Sequence, residues 1–182
     1  MERSGSLDVL APRHQHPPMD LRTVQAPLKE GYREDPTGAQ ITLTARGRGA
    51  GESPVSCSVD IGRAIQEAQA HVGVGGPGTG ACSGDLLLGA LAACAQVTCQ
   101  MVAAAMGIET ERIEVVVEGD LDLRGTLGVD RDAPVGFAAI RLRYAIDAPG
   151  VEQERIDALC EKAERYCTVL QTLRQPPPIS VD

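Results

Sequence analysis

Six cysteines, Cys57, Cys82, Cys94, Cys99, Cys160 and Cys167, stand in this 182-residue chain, and they are the side chains best able to do chemistry in it. A thiol can cross-link, ligate a metal, attack an electrophile or simply pack, and spacing helps to choose among these. No Cys-x-x-Cys occurs, and none of His14, His16 and His71 is paired with a cysteine. The close pair Cys94 and Cys99 would sit about 140° apart on a helix, on different faces, so no structural zinc site and no other metal is expected. A disulfide framework belongs to short secreted chains, whereas the segment MERSGSLDVLAPRHQHPPMD lacks the apolar run of a secretion signal. The expectation is therefore a cytoplasmic protein whose cysteines serve thiol chemistry or packing. The glycine-rich run VGVGGPGTG at 72–80 has neither the glycine spacing nor the lysine of a phosphate loop, and reads as a flexible rim beside a site. His71, just before it, reads as a surface residue.

The elements that must position these thiols follow from periodicity. Residues 1–19 carry Pro, His and Arg without pattern and read as a tail, and residues 20–38, polar with two prolines, as an arm lying on the body of the protein. Gln40 to Arg48 and Val55 to Ile61 each alternate apolar with polar around a GAGESP turn, the signature of an antiparallel hairpin. Ser83 can then cap a helix, with Asp85 favourably in its first turn. That helix, about Gly84 to Met106, is apolar nearly all round, which predicts a central helix enclosed on most faces and stopped by Gly107. Two alternating segments follow, from Ile113 and from Gly136 to Ile146, and then a helix from Gln153 to about Arg165 whose spacing turns Cys160 and Cys167 toward the core. Ile179-Ser-Val reads as a last strand. The order β-β-α-β-β-α-β makes an α+β fold with antiparallel strands and a long buried helix. Residues 1–39 are the tail and arm, and 40–182 the main domain.

Composition bounds the partners. Lys and Arg number 17 against 25 Asp and Glu, a formal charge of -8, so there is no basic face for nucleic acid or an anionic membrane. No apolar run reaches 18 residues. Only 2% of residues are aromatic, leaving a thin core of Leu, Ile, Val and Ala that a dimer interface would complete.

Two segments carry a resemblance. Cys82-Ser-Gly-Asp-Leu-Leu-Leu-Gly-Ala-Leu-Ala-Ala-Cys94 resembles the S-P-x-E-L-L-x-A-A-x-x-A-C helix of the OsmC/Ohr family, and Glu164-Arg-Tyr-Cys-Thr-Val-Leu-Gln-Thr-Leu173 its second-cysteine segment, E-x-x-C-P-x-x-x-x-L. Both occur in the family's order, and the resemblance covers residues 40–182. It implies an intertwined homodimer and an enzyme, a two-cysteine peroxidase of the oxidative stress response that reduces organic hydroperoxides without metal or organic cofactor. An external dithiol, lipoyl-type in the family, returns the electrons. Cys94 would then be the peroxidatic thiol and Cys167 the resolving one, the second condensing with the sulfenic acid left on the first. Burial on an apolar helix would raise the Cys94 pKa, so the reading requires a cation at the sulfur; the family draws an arginine from the first hairpin, here Arg46 or, second, Arg48. The glutamate that holds this arginine is Gly84 here, with Asp85 one residue on as the acid of the broader OsmC-like branch. The proline after the second cysteine is Thr168. Cys82 adds a thiol that could serve as an alternative resolving cysteine, while Cys57, Cys99 and Cys160 read as small core hydrophobes. Leu87, Leu91 and Met101 would line an apolar pocket around Cys94. The alternatives are an OsmC-like protein that binds an apolar ligand without turnover, and a redox sensor whose cysteines form a disulfide slowly.

Overall fold

A 24-residue helix organises the chain, and its start is set by a thiol. In the computed structural model, which describes residues 21–43, 45–49, 56–60 and 65–182, with 46–49 and 56–60 described through their backbone, α2 runs from Ser83 to Met106. Its N-cap is Cys82 and not the expected Ser83. Cys82 has extended backbone (φ -90°, ψ 171°), its sulfur accepts the Asp85 N–H at 3.5 Å, and the Asp85 carboxylate accepts the Cys82 N–H at 2.9 Å. This is a capping box in which sulfur takes the place of a hydroxyl. At the other end Gly107 adopts φ 62°, a left-handed conformation that favours glycine, and its N–H closes the last turn, as the sequence predicts.

Before α2 lie a helix α1 (Leu21–Glu34) and three short strands, β1 (Arg46–Gly49), β2 (Ser56–Asp60) and β3 (Ile65–Gln69). The chain divides into two compact units between Ala39 and Gln40. In the first, α1 forms where an arm without regular structure is expected, and it tolerates Pro27 inside. In the second, β1 and β2 make the expected hairpin, with Arg46 opposite Asp60 and Gly49 opposite Cys57. The alternating segment from Gln40 enters the hairpin only at Arg46, and β3, which the sequence reading lacks, adds to it antiparallel. The glycine run is not shapeless: Val72–Val74 make a 3-10 turn capped by His71, whose Nδ1 accepts the Gly73 N–H at 3.0 Å.

After α2, β4 (Arg112–Asp120) and β5 (Ala139–Asp147) pair antiparallel along their whole length, separated by a one-turn helix α3 (Leu123–Thr126). Their alternation turns Val115, Val117, Ile140, Leu142 and Tyr144 toward the helices and Arg112, Glu114, Arg141 and Arg143 outward. Then α4 (Gln153–Tyr166) and α5 (Thr168–Arg174) meet at Cys167. The chain beyond Arg174 forms no strand: Ile179-Ser-Val alternates but pairs with nothing among the described residues.

Helices α2 and α4 run antiparallel. Near the end of α2, Cys99 and Ala103 pack on Leu159 and Ala163; earlier, Leu91 and Ala95 pack on Cys167 and Leu170. The Arg155 guanidinium donates to the Met106 carbonyl at 3.2 Å, which holds the same register at the far end. Only Leu91, Ala95, Cys99 and Ala103, one stripe at four-residue spacing, are buried on α2. The helix is therefore not enclosed on most faces within one chain: Leu87, Val97 and Met101 remain 39%, 53% and 38% exposed. By length and composition alone α2 could cross a membrane, but its stripe is occupied by the chain's own helices and sheet.

Candidate active site

The two cysteines named by the motif segments come together at the Cys167 junction. Cys94 lies about three turns into α2, half-buried against the cluster of Leu91, Ala95, Cys167 and Leu170. Cys167 is fully buried and serves both as the C-cap of α4 and the N-cap of α5, with extended ψ of 104°. Its N–H goes back to Ala163 at 3.0 Å and its carbonyl accepts from Gln171 at 2.9 Å. That break leaves the N–H groups of Thr168 and Val169 without helical acceptors, since the first turn of any helix has none. Both are directed to the Cys94 sulfur.

The two thiols are free, pack in one cluster, and act on each other's ionisation. Burial pushes the Cys94 thiol up. The Val169 N–H, the Cys167 thiol, the Thr98 hydroxyl and the Thr168 N–H more than offset it, and Cys94 ends below the ordinary thiol value. Burial also pushes Cys167 up; the Leu170 N–H works against this, but donation to Cys94 and the charge there add to the rise. Cys94 is thus the sulfur that ionises first, with Cys167 as its protonated donor. Within one chain, and among the described residues, the lowering comes from neutral donors. Thr98, one turn further along α2 on the same face, is a site residue that the i to i+4 spacing could have indicated. The backbone donors have no such signal.

Other expected residues stand elsewhere. Arg46 and Arg48 are on β1, and their side chains lie outside the described residues. Asp85 is nine residues from Cys94, roughly 13 Å along the axis, and its carboxylate closes the helix cap. Its pKa is held below the usual carboxylate range by the Cys82 N–H first, then the Cys82 side chain and the charge of His71. Cys82 is about 18 Å along the axis from Cys94, too far to resolve it within the chain. Cys99 packs in the core as expected, Cys160 is half-buried and belongs to neither core cluster, and the Cys57 side chain lies outside the described residues. Leu91 is fully buried beside the thiols and also lines a cavity of about 400 Å3 with Phe137, Leu142 and Leu170, where Arg174 and Glu164 pair at 2.9 Å. Leu87 instead lines a cavity of about 570 Å3 at the start of α2, and Met101 lines neither. No cluster of three or more metal-ligating side chains exists among the described residues.

Over residues 76–182 the sequence matches the family model described as OsmC-like protein. The chain belongs to the OsmC-like family. The matched span contains α2, both thiols and the α4–α5 junction. An OsmC-like protein from Mycoplasma pneumoniae has a similar structure, with a TM-score of 0.62 and 20% identity over 75% of this chain and 90% of that one. An organic hydroperoxide resistance protein from Legionella pneumophila aligns with a TM-score of 0.56 and 21% identity over 74% and 90%. One from Elizabethkingia anophelis, with thiocyanate bound, aligns at 0.57 and 20% over 75% and 91%. At these identities the likeness establishes the OsmC-like α+β fold. No curated protein matches the chain by sequence.

Proposed function

We propose that the chain is a cytoplasmic thiol-dependent peroxidase for organic or lipid hydroperoxides, with Cys94 peroxidatic and Cys167 resolving. The observation that carries this is the packing of Cys94 beside Cys167 in one cluster, with the two thiols shifted in opposite directions. The Cys94 thiolate attacks the O–O bond; an S–O bond forms, the O–O bond breaks, and the alkoxide leaves as alcohol after taking a proton. Cys167 then attacks the sulfenic sulfur, an S–S bond forms, and the oxygen departs as water with the Cys167 proton. An external dithiol reduces the disulfide and is itself oxidised to a disulfide. Leu91, Leu142 and Leu170, packed with the pair in one cluster, favour a hydrophobic peroxide over hydrogen peroxide.

The exposed Leu87, Val97 and Met101 on α2 support a homodimer in which a second copy covers this face. In such a dimer Arg46 or Arg48 could reach the partner's sulfur and add a cation to the neutral donors.

The test is stopped-flow mixing of reduced protein with cumene hydroperoxide and, separately, hydrogen peroxide, followed by thiol counting and peptide mapping. Expected is fast loss of two thiols per chain as a Cys94–Cys167 bond, quicker with the organic peroxide. In Cys167→Ser a single turnover should be followed by overoxidation of Cys94. Absent or slow loss would instead favour apolar-ligand binding or slow redox sensing. The cavity of about 570 Å3, which contains neither Cys94 nor Cys167, favours the binding reading among these.

A further inference from the structure

The cavity of about 570 Å3 at the start of α2 has no task in the chemistry of Cys94 and Cys167, and it gathers residues which that chemistry leaves unused, Cys82, His71 and Gly84 among them. Its walls come from three places in the chain: the turn after β3, the first turn of α2, and the β4–β5 connection with α3. Leu87, Leu121, Leu123, Val135 and Phe137 make it apolar. A pocket for a small organic molecule usually encloses roughly 300 to 1,000 Å3, and this one falls within that range. The Phe137 ring, the chain's single phenylalanine, is seated on two glycines. A Cβ on Gly84 would stand 3.3 Å from it and one on Gly119 2.5 Å, so only residues without a side chain let the ring lie there. Leu123 is seated in the same way on Gly73. The connection that carries Leu121, Leu123 and Val135 is itself tied, Arg124 pairing with Asp122 at 2.6 Å and with Asp130 at 2.9 Å. The cavity is formed without a ligand to shape it, as binding pockets mostly are.

The lining selects the chemistry of the occupant. None of the described residues in it is Lys, Arg, Asp or Glu, so a charged ligand would be desolvated without a partner. The positive end of α2 does not supply one for an anion, because the Asp85 carboxylate already closes it. Leu121 and Val135 remain 42% and 67% exposed, apolar surface that an apolar occupant would take out of water. The polar groups are few, and one of them has a set role. His71 Nδ1 accepts the Gly73 N–H, so in the neutral ring the proton is on Nε2, the nitrogen left to donate. We propose that this cavity is a second binding site, for a neutral apolar molecule carrying one hydrogen-bond acceptor such as a carbonyl, its apolar part against Phe137 and the leucines and its acceptor at His71. The site contains neither Cys94 nor Cys167, and it stands whether or not that pair reduces peroxides.

Cys82, half-buried in the cavity wall, is a built-in reporter. The experiment uses the full reduced chain and Nile red, a neutral apolar dye with a carbonyl, whose fluorescence rises when it leaves water. Expected is a saturable rise that methyl nonyl ketone reverses and that undecanoate, of matched length, does not reverse at the same concentration. Alkylation of Cys82 by iodoacetamide, read by peptide mapping, should slow about tenfold when the ketone is at about ten times its Kd, because the occupied site hides the sulfur. Gly84→Leu puts an apolar side chain beside Phe137 and improves helix propensity, so α2 should form while dye affinity falls by about tenfold. No rise with the parent chain overturns the proposal. A rise without protection of Cys82, or with unchanged affinity in Gly84→Leu, overturns it by placing the dye elsewhere, as on the exposed face of α2. Equal displacement by undecanoate overturns the neutral ligand. Cys82 labelling that depends on protein concentration and not on the ketone assigns the cavity to a second copy of the chain, and overturns the site.

Discussion

Helices α2 and α4 bring cysteines together twice, and the two meetings differ in chemistry although the same helices make them. Cys94 meets Cys167; about 7.5 Å further along α2, Cys99 packs in the cluster of α4 residues that neighbours Cys160. At the first, Cys94 falls below the ordinary thiol value. At the second, burial pushes Cys99 up to about 11, with the charge of Cys160 adding to it, and Cys160 is raised as well. Burial opposes ionisation at both, so it does not distinguish them. The difference is where the helices end. Cys99 and Cys160 lie inside helical runs whose backbone N–H groups are committed to the turn before, whereas α4 stops at Cys167 and the restart at α5 frees the N–H groups of Thr168 and Val169 for Cys94. A helix break, more than a charged residue of the described chain, separates a thiol lowered below its ordinary value from one raised above it.

The largest break in this comparison comes from removing one sulfur at a time. Cys94→Ser should lower the rate of cumene hydroperoxide consumption by on the order of 10^3-fold or more, as loss of a nucleophile does. Cys99→Ala, at the other meeting, should leave that rate within about twofold. Equal losses in both variants would mean that the helix break is irrelevant to reactivity.

The second meeting should be visible in stability instead. A thiol whose pKa is raised by folding loses its proton first in the unfolded chain, so its contribution is complete below the ordinary thiol value and is lost as pH rises toward about 11. For Cys99 the loss is on the order of 2 kcal/mol, roughly 30-fold in the folded-to-unfolded ratio. Cys160, Cys167 and Tyr144 act in the same direction. Denaturant midpoints under reducing conditions at pH 8, 9.5 and 11 should fall steeply in the parent and less steeply in Cys99→Ala, which starts lower because of the small cavity it leaves. Parallel pH slopes would remove Cys99 from the account.

Much of this architecture was legible because it is periodic. The apolar run of α2, its stop at Gly107, the alternation of β4 and β5 and the core-facing Leu159 and Ala163 of α4 all follow from side-chain pattern. Three elements were not legible. Pro27 and Gly31 disguise α1, β3 exists by pairing with β2 and not by any alternation in Ile-Gln-Glu-Ala-Gln, and α5 is too short for a helical period to register. The burial of α2 was overestimated for a different reason. An apolar helix says that its faces need covering, and within one chain only the stripe through Leu91, Ala95, Cys99 and Ala103 is covered. At the site, the thiols were reached through two motif segments, but two of the four donors that act on Cys94 are main-chain, and a main-chain N–H is present at every residue except proline.

That exception supplies the finest test. Thr168 stands where the resembling segment of the family has proline, and its N–H is one of the donors to Cys94. Thr168→Pro removes this donor alone. Thr168 is the first residue of α5 after its cap, the position where proline is best tolerated because its N–H has no helical partner, so the fold should survive. Thr168→Ala keeps the N–H and is the control. Thr98 and the Val169 N–H remain in both, so the Cys94 pKa should rise in Thr168→Pro, with the pH midpoint of peroxide reaction moving upward and the rate at neutral pH dropping by up to about tenfold. In Thr168→Ala neither should move. The sign follows from which form the donor favours: an N–H stabilises the thiolate and not the thiol, so losing it must shift reactivity to higher pH. An unmoved midpoint in Thr168→Pro, with far-UV circular dichroism unchanged, would mean that the activation of Cys94 comes from Val169, Thr98 and Cys167 alone.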